Sequence, residues 1–261
     1  MSEISSTPGS YRISMEITFL GTNGWYDTGT GNTPCVLIQS QDYDIILDAG
    51  YGIAKADRYL SGKRPVHLFL SHFHIDHIAG LHTLAKFRFP EGLFIYGQPG
   101  TPEILNSIVR LPFTVPFDRL PYPVRIIGLD EGDHTVPFPA ESRYLVHPVP
   151  CFGYRFQLEG KIIAFCTDTG YCENAVHLGR DADLLITECA FRSGQDTSDW
   201  PHLRPEDTVR IAREAGATRL ALMHFDASLY PSLADRREIA DRFKGDFPGL
   251  MVAEDGMQIR I

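Results

Sequence analysis

The sequence lacks any apolar run of the roughly 18–20 residues that a membrane-spanning helix needs. Its N-terminal segment also lacks the apolar stretch of a secretory signal, so we expect a cytoplasmic protein and no membrane partner. Cysteine is scarce, with five residues and no Cys-x-x-Cys pair, which argues against a disulfide framework and a cysteine-rich zinc knuckle. We therefore expect reduced thiols that are mostly buried.

Basic residues are also in short supply. The chain has 24 Lys and Arg against 33 Asp and Glu, which leaves a net charge of -9. A protein that binds nucleic acid through a broad surface needs the opposite sign, so no general nucleic-acid surface is expected. The 261 residues are enough to bury a core without disulfides or structural metal. A metal site in this chain would therefore need a reason other than folding.

The first half of the chain alternates between strand and helix patterns. Short β-type runs at 13–20, 35–39 and 44–48 predict an antiparallel start. The run at 66–71 is followed by residues 78–87, whose apolar spacing favours a helix, and then by another apolar run. This order predicts a β-α-β unit after the antiparallel strands.

The second half repeats the same order. Strands are predicted at 143–149 and 161–168, and a hairpin is predicted to turn at Glu159 and Gly160. A helix over 205–216 ends at a glycine, and a strand pair is predicted near 250–261.

Two halves with this order predict an α+β fold in which two mixed sheets pack face to face with helices outside. No low-complexity linker divides the halves. We therefore predict a loose tail over 1–12 and a single domain over 13–261.

The most informative segment is Ser-His-Phe-His-Ile-Asp-His at 71–77, which leaves a predicted buried strand. Alternation places His72 and His74 on one side of the extended chain, and Asp76 and His77 follow at the turn. A single histidine here would more often be structural, but four competing polar groups at one strand end are hard to satisfy without a cation. The segment therefore predicts a site for two adjacent metal ions.

This motif, in a chain with two β-rich halves, resembles the metallo-β-lactamase superfamily. The likeness runs from about residue 15 and includes the stretches FLGTNGW, GNTPC and ILDAGYG. It implies a four-layer αββα sandwich that holds a metal pair between its sheets. The fold predicted from the strand and helix patterns agrees with that architecture.

The resemblance also implies the remaining ligands, which match His147 in LVHPVP, Asp168 in FCTDTG and His224 in LALMHF. One ion would be held by the first two motif histidines with His147, the other by the Asp-His pair with His224, and Asp168 would bridge them. The full set is His72, His74, Asp76, His77, His147, Asp168 and His224. Zinc is expected at both positions, with manganese and iron as alternatives.

The segment WPHLRPEDTVRIAREAGATRLALMHF resembles the phosphodiesterase branch, namely tRNase Z-like enzymes and the cyclic-phosphoribose phosphodiesterase of phosphonate breakdown. In those enzymes a histidine before a helix precedes the last ligand, and here it is His202. The resemblance implies that a metal-bridging hydroxide, oriented by Asp76 and Asp168, attacks a phosphodiester. His202 would give a proton to the leaving group.

One departure from the family bears on the substrate. In tRNase Z a long arm is inserted between the positions that match His147 and Asp168, whereas the hairpin fills this interval here. With the negative net charge, this favours a small phosphodiester, cyclic ones included, over tRNA.

Four further residues are candidate substrate contacts. Trp25 and Phe152 lie near the motif loops and are predicted to wall the pocket. Arg192 and Arg204 flank the second-half histidine and are candidate phosphate clamps.

Several alternatives stay open. They are a tRNA 3′-processing endonuclease, a lactone or thioester hydrolase, a mononuclear-iron dioxygenase, and a non-enzymatic metal-binding protein. A dioxygenase uses fewer ligands, so the presence of both His77 and His224 favours hydrolysis. A monomer and a homodimer are both compatible with the sequence.

Overall fold

The computed structural model describes residues 15–197 and 199–261, and the tail predicted at 1–12 lies outside these ranges. The strands are β1 (Glu16–Gly21), β2 (Asn23–Gly24), β3 (Cys35–Gln39), β4 (Asp44–Leu47), β5 (Val66–Phe69), β6 (Leu93–Gly97), β7 (Val124–Gly128), β8 (Gly132–Thr135), β9 (Pro139–Tyr144), β10 (Phe152–Leu158), β11 (Lys161–Cys166), β12 (Leu184–Glu188), β13 (Leu220–Met223), β14 (Phe225–Asp226), β15 (Leu250–Val252) and β16 (Gln258–Arg260). The α-helices are α1 (Ile75–Ile78), α2 (Thr101–Ile108), α3 (Glu173–Leu178), α4 (Pro205–Ala215) and α5 (Leu233–Phe243), and 3-10 helices cover Tyr51–Arg58, Ala79–Lys86 and Phe117–Arg119.

Two seven-stranded mixed sheets form the body of the protein. The first has the order β16-β1-β3-β4-β5-β6-β7 and the second the order β15-β13-β12-β11-β10-β9-β8. In the first sheet β16, β1, β3 and β4 pair antiparallel, and β4 to β7 pair parallel. In the second, β8 to β11 pair antiparallel, and β11, β12, β13 and β15 pair parallel. The predicted α+β fold with two mixed sheets is confirmed.

Three apolar layers separate the sheets from each other and from the helices. The inner layer joins side chains of both sheets, for example Phe69 and Phe156, whose ring centroids lie 4.9 Å apart. One outer layer packs Leu68 of the first sheet against Leu81 of the 3-10 helix, and α4 covers the second sheet in the other. Central strands are therefore buried on both faces, which explains their continuous apolar sequences.

Several predicted elements are confirmed in detail. The hairpin turns at Glu159 and Gly160, with φ angles of 52° and 75°, and Leu158 pairs with Lys161. Two positive φ values in a two-residue turn match the right-handed twist of the flanking strands. Gly216 ends α4 in the left-handed conformation with φ of 68°.

Two strand predictions are wrong. The strand predicted at 143–149 ends at Tyr144, because Pro148 and Pro150 cannot donate to a sheet ladder. The predicted pair near 250–261 does not exist, since β15 joins β13 in the second sheet and β16 joins β1 in the first. The C-terminal segment thus adds one edge strand to each sheet.

All five cysteines are unpaired and four of them are buried, as expected. Among the described helices, none combines the length and the hydropathy that crossing a bilayer takes.

A buried histidine makes the stability of the fold depend on pH. His67 on β5 stacks on Phe94 at 5.0 Å, and its Nδ1 lies 3.2 Å from the Tyr96 hydroxyl. Its Nε2 is buried without a hydrogen-bond partner. Burial lowers the pKa of His67 from an ordinary value of 6.5 to about 4.

We expect the free energy of unfolding to fall as the pH drops from about 6.5 to about 4. The unfolded chain takes up a proton on this histidine through that window and the folded chain does not, at a cost of up to about 3 kcal/mol. Urea unfolding at pH 7 and pH 4.5 should show a smaller loss for His67→Phe than for the unaltered protein. A control, His82→Phe at an exposed position, should lose as much as the unaltered protein; equal losses in all three would contradict the prediction.

Candidate metal centre and active site

The predicted ligands meet at one edge of the sandwich, where strands of both sheets end. The segment 72–77 follows β5, Asp168 follows β11 and His224 follows β13. His147 lies on the loop after β9. The ligand atoms of His72, His74, His147 and Asp168 lie within 4.8 Å of one another, as do those of Asp76, His77 and His224.

Asp168 faces both groups with a different oxygen. Its Oδ2 lies 3.7 Å from Nε2 of His72 and 3.9 Å from Nε2 of His147. Its Oδ1 lies 3.2 Å from Nε2 of His77 and 3.1 Å from Nε2 of His224. A carboxylate in this position can bridge two ions, one on each oxygen.

Two of the histidine rings are oriented for ligation by hydrogen bonds on their other nitrogens. Nδ1 of His77 lies 2.8 Å from Oδ2 of Asp48, and Nδ1 of His72 lies 3.0 Å from Oγ of Ser71. Nε2 of His72 and Nε2 of His147 are buried and have no hydrogen-bond partner. An unsatisfied buried nitrogen costs about 1–3 kcal/mol, so the donor set fits a cation that these atoms would bind.

The electrostatics of the site also fit a bound cation. Burial favours the neutral form of His77, but Asp168, Asp76 and Asp48 outweigh it and raise its pKa well above the usual range. Burial also disfavours the charged form of Asp168, yet His224 and His77 hold its pKa well below the usual range. Burial is outweighed at His224 as well, where mainly Asp168 raises the pKa, so without metal the protons that compensate the buried carboxylates would be those on His77 and His224. Divalent ions would replace those protons, so metal binding should release protons.

Several residues at the candidate metal centre have a strained backbone conformation. Trp25, Asp48, Asp168 and His224 have φ of 71°, 58°, 48° and 52°, a region that non-glycine residues seldom adopt. Such residues cost on the order of 1–3 kcal/mol each and persist where surrounding contacts hold them. The backbone N–H of Trp25, for example, donates to Oδ2 of Asp76 at 2.8 Å.

A short strand pair brings the Trp25 loop against the last ligand. β2 and β14 pair in parallel, with Asn23 opposite Phe225. Arg236 of α5 is wholly buried and donates to Oδ1 of Asn23 at 2.6 Å and to Oγ1 of Thr30 at 2.9 Å. The guanidinium thus joins both ends of the loop that carries Trp25.

Glu188 is a site residue that the sequence analysis missed. It ends β12, is fully buried, and its Oε1 lies 2.6 Å from Nδ1 of His202 and accepts from the backbone N–H of Thr169 at 2.5 Å. Burial alone would lower the pKa of His202, but Glu188 raises it to about 9. The available signal was an acidic residue at the end of the apolar run LLITE, because a buried carboxylate needs a partner.

The bonds that His202 can make through Nε2 depend on its protonation state. The indole N–H of Trp200 donates to Nε2 of His202 at 2.9 Å, and that nitrogen must then be unprotonated. The raised pKa favours a second proton on the same ring. A protonated His202 therefore has to give up the bond to Trp200, which frees its Nε2–H for another acceptor.

The metal centre opens into a cavity of about 680 Å³, within the range of small-molecule sites. The lining residues include Trp25, together with Ile75, Phe191 and Trp200. Phe152 does not, because it begins β10 with its ring in the inner apolar layer, fully buried against Tyr144.

The two arginines predicted as phosphate clamps are also placed elsewhere. The guanidinium of Arg192 lies 4.8 Å from the centroid of the Tyr230 ring and donates to the Leu229 carbonyl. Arg204 is the residue before α4, and its guanidinium donates to Asp207 in the first turn of that helix. Both side chains serve local structure and neither lines the cavity.

Comparison with known proteins identifies the fold. A family profile described as a beta-lactamase superfamily domain matches residues 43–225. The chain belongs to the metallo-β-lactamase superfamily. This confirms the resemblance drawn from the His-x-His-x-Asp-His motif.

Similar proteins include one named as a probable metallo-hydrolase and others named as ribonucleases. The probable metallo-hydrolase YhfI of Bacillus subtilis is 30% identical over 215 residues, which cover 80% of this chain and 86% of that protein. Its crystal structure matches with a TM-score of 0.78 and 26% identity, over 95% of this chain and 100% of that one. Ribonuclease Z of Haloarcula marismortui is 27% identical over 306 residues, 95% of this chain and 97% of that protein.

A crystal structure of a diphosphatase from the PhnP family shares the fold, with a TM-score of 0.71 and 18% identity, over 95% of this chain and 98% of that one. Together with the family match, the likeness to the probable metallo-hydrolase identifies this protein as a metal-dependent hydrolase.

Proposed function

We propose that this superfamily member is a dinuclear phosphodiesterase that hydrolyses a small phosphodiester. The observation that carries the proposal is the position of Asp168, which presents one oxygen to each of two ligand groups. The groups are His72, His74 and His147 on one side and Asp76, His77 and His224 on the other. His202, held by Glu188, lines the same cavity and is in reach of a leaving group bound there.

The chemistry divides between the ions and the chain. Divalent ions held by the two ligand groups would supply an activated water and polarise a phosphoryl oxygen. Asp76 and Asp168 orient the attacking water, while His202 donates the proton that the leaving alkoxide needs. Glu188 holds the imidazole of His202 in place and favours its protonated form.

A small substrate is favoured by what surrounds the site. β10 and β11 form a tight hairpin that fills the interval between His147 and Asp168, so no extended arm emerges there to hold a macromolecule. The net charge of -9 also disfavours a long polyanion on the outer surface.

A tRNA 3′-processing endonuclease is the second candidate. The likeness to ribonuclease Z over 95% of this chain favours it. A ribonuclease and a small-molecule phosphodiesterase break the same kind of bond, so the site chemistry described above serves both.

Metal analysis and a substrate panel test the proposal. We expect the purified protein to hold two divalent ions per chain and, after chelation and reloading with zinc, manganese or iron(II), to hydrolyse bis(p-nitrophenyl) phosphate and 2′,3′-cyclic nucleotides. A single iron with oxygen uptake, or turnover of a lactone or thioester alone, would overturn it. Cleavage of a pre-tRNA alone would leave phosphodiester hydrolysis standing and overturn the small substrate.

Gly24→Ala should damage one half of the metal centre. A methyl group on Gly24 would lie 2.7 Å from Cε1 of His224, closer than real contacts allow, so the imidazole must shift. We expect the loss of one metal equivalent and a fall in turnover of about 100-fold, typical of a displacement of about 1 Å. Gly29→Ala is the matched control, because a methyl group there meets nothing within 4 Å; similar behaviour of the two variants would count against this placement of His224.

A further inference from the structure

Both tryptophans of the sequence lie on the cavity above the metal centre. Their side chains remain largely in contact with solvent, with exposed fractions of 68% for Trp25 and 46% for Trp200. Ile75, between two motif ligands, lines the same cavity and is 71% exposed. Single exposed apolar side chains are ordinary, but a cluster of large ones around one cavity marks a ligand-binding surface.

Each tryptophan is tied to a group of the active site. The backbone N–H of Trp25 donates to Asp76, and Trp25 adopts the strained φ of 71°. The indole of Trp200 contacts the His147 ring edge-on at 6.2 Å, and it donates to His202 when Nε2 of that histidine is unprotonated. Folding therefore places two apolar rings in water beside the reacting groups without burying them, and a bound flat group would supply the missing burial.

The charges around the cavity restrict the ligand further. No lysine or arginine is found among the described residues that line it, and the nearby Arg192 and Arg204 are engaged elsewhere. Its carboxylates are Asp76, Asp168 and Asp226. The first two belong to the ligand groups, whereas Asp226 ends β14, two residues after the last ligand, and accepts from the backbone N–H of Ser228. A second phosphate would find no side-chain cation and would face Asp226.

We infer that the substrate is a phosphodiester with a single negative charge that carries a flat aromatic group, stacked on Trp25 and Trp200. This inference rests on the proposed phosphodiesterase function and names its substrate class. Hydrolysis adds one water: one P–O ester bond breaks, the water oxygen bonds to phosphorus, and the leaving oxygen takes up a proton.

Three five-membered cyclic phosphates isolate the aromatic group, because they share the reacting ring and an alkoxide leaving group. They are those of propane-1,2-diol, of 1-phenylethane-1,2-diol and of adenosine at its 2′,3′ positions. We expect kcat/KM to be higher for the last two by roughly 5- to 150-fold, mainly through KM, as stacking on aromatic side chains provides. The phenyl and adenine arms distinguish an aryl group from a nucleobase.

Variants assign the preference to the tryptophans. Trp25→Ala should reduce the ratio of aromatic to aliphatic kcat/KM, and Trp25→Phe should retain part of it. Phe113→Ala is the matched control, because Phe113 is an equally exposed aromatic residue, 71% accessible, that does not line this cavity. It should leave the ratio unchanged. A ratio that Trp25→Ala does not alter would overturn the role of Trp25.

The charge limit is tested with a second phosphate. Adenosine 2′,3′-cyclic phosphate that also bears a 5′-phosphate should be hydrolysed at least about tenfold less efficiently, a difference of about 1.4 kcal/mol. Asp226→Asn, which keeps the acceptor oxygen for Ser228, should recover part of this loss. Equal kcat/KM with and without the 5′-phosphate would overturn the charge limit.

The same measurements distinguish a wrong phosphodiesterase function from a wrong substrate class. If the metal-loaded protein hydrolyses neither the cyclic phosphates nor bis(p-nitrophenyl) phosphate, the proposed function fails. If it hydrolyses bis(p-nitrophenyl) phosphate and none of the cyclic phosphates, the phosphodiesterase stands and the inferred substrate class is overturned. If all are hydrolysed and the aliphatic one is as good as the aromatic ones, the phosphodiesterase stands and the aromatic substrate class is overturned.

Discussion

Asp168→Asn should remove metal and hydrolysis together. Asn keeps the shape of the side chain but has one oxygen in place of two and carries no charge. It therefore cannot present a ligand oxygen to both ligand groups as Asp168 does. Loss of a residue that supports a ligand typically costs 10–100-fold, and loss of a shared ligand should cost more than about 100-fold in turnover. Metal analysis and hydrolysis of bis(p-nitrophenyl) phosphate measure the two effects on the same preparation.

The control for this variant is Asp118→Asn, which removes one charge at an exposed position in a 3-10 helix far along the chain from the ligands. It should keep full metal content and activity. Thermal unfolding of both variants should be cooperative, because the core of 261 residues does not need metal to form. Full turnover by Asp168→Asn would contradict the proposal that Asp168 is shared by two metal ions.

His202→Ala should leave the metal in place and slow the reaction by about 10²–10⁴-fold, the usual contribution of a general acid. The loss should depend on the leaving group. It should be largest for the cyclic phosphate of propane-1,2-diol, which expels an alkoxide that needs a proton. It should be smallest for bis(p-nitrophenyl) phosphate, which expels a stable phenolate. This contrast separates a lost proton donor from general damage to the site.

Two further variants complete that test. Glu188→Gln keeps a hydrogen-bond acceptor for Nδ1 of His202 but removes the charge, so it should show a smaller loss with the same dependence on the leaving group. His82→Ala removes an exposed histidine and should change neither rate. If His202→Ala lost the same factor with both substrates, the proton-donor role would be wrong.

The fold follows from sequence wherever local signals are strong. Central strands such as β5 and β12 are buried on both faces, so their apolar runs are unmistakable, and Gly216 and the Glu159–Gly160 turn carry their conformations in their residue types. The pairing of the edge strands is harder to predict from the sequence. β15 and β16 lie close together in the chain yet join opposite sheets, because pairing of edge strands depends on distant partners.

The candidate site, like the fold, can be predicted from the sequence only in part. The segment 72–77 concentrates its ligands in a few residues, and its position after β5 could be recognised from the chain alone. Phe152 and Arg204 were misplaced, since the direction of a side chain depends on strand register and helix capping. Glu188 was missed because its partner His202 lies on a separate loop.

The sequence by itself determined the superfamily and the two-sheet architecture, and it supplied the candidate metal ligands, because these depend on residue type, order and local periodicity. Only the tertiary structure decided which oxygen of Asp168 faces which histidines, which carboxylate holds His202, and which aromatic rings stay exposed. Those contacts join β5, β11, β12 and β13 across two sheets, and their geometry exists only once both sheets have packed.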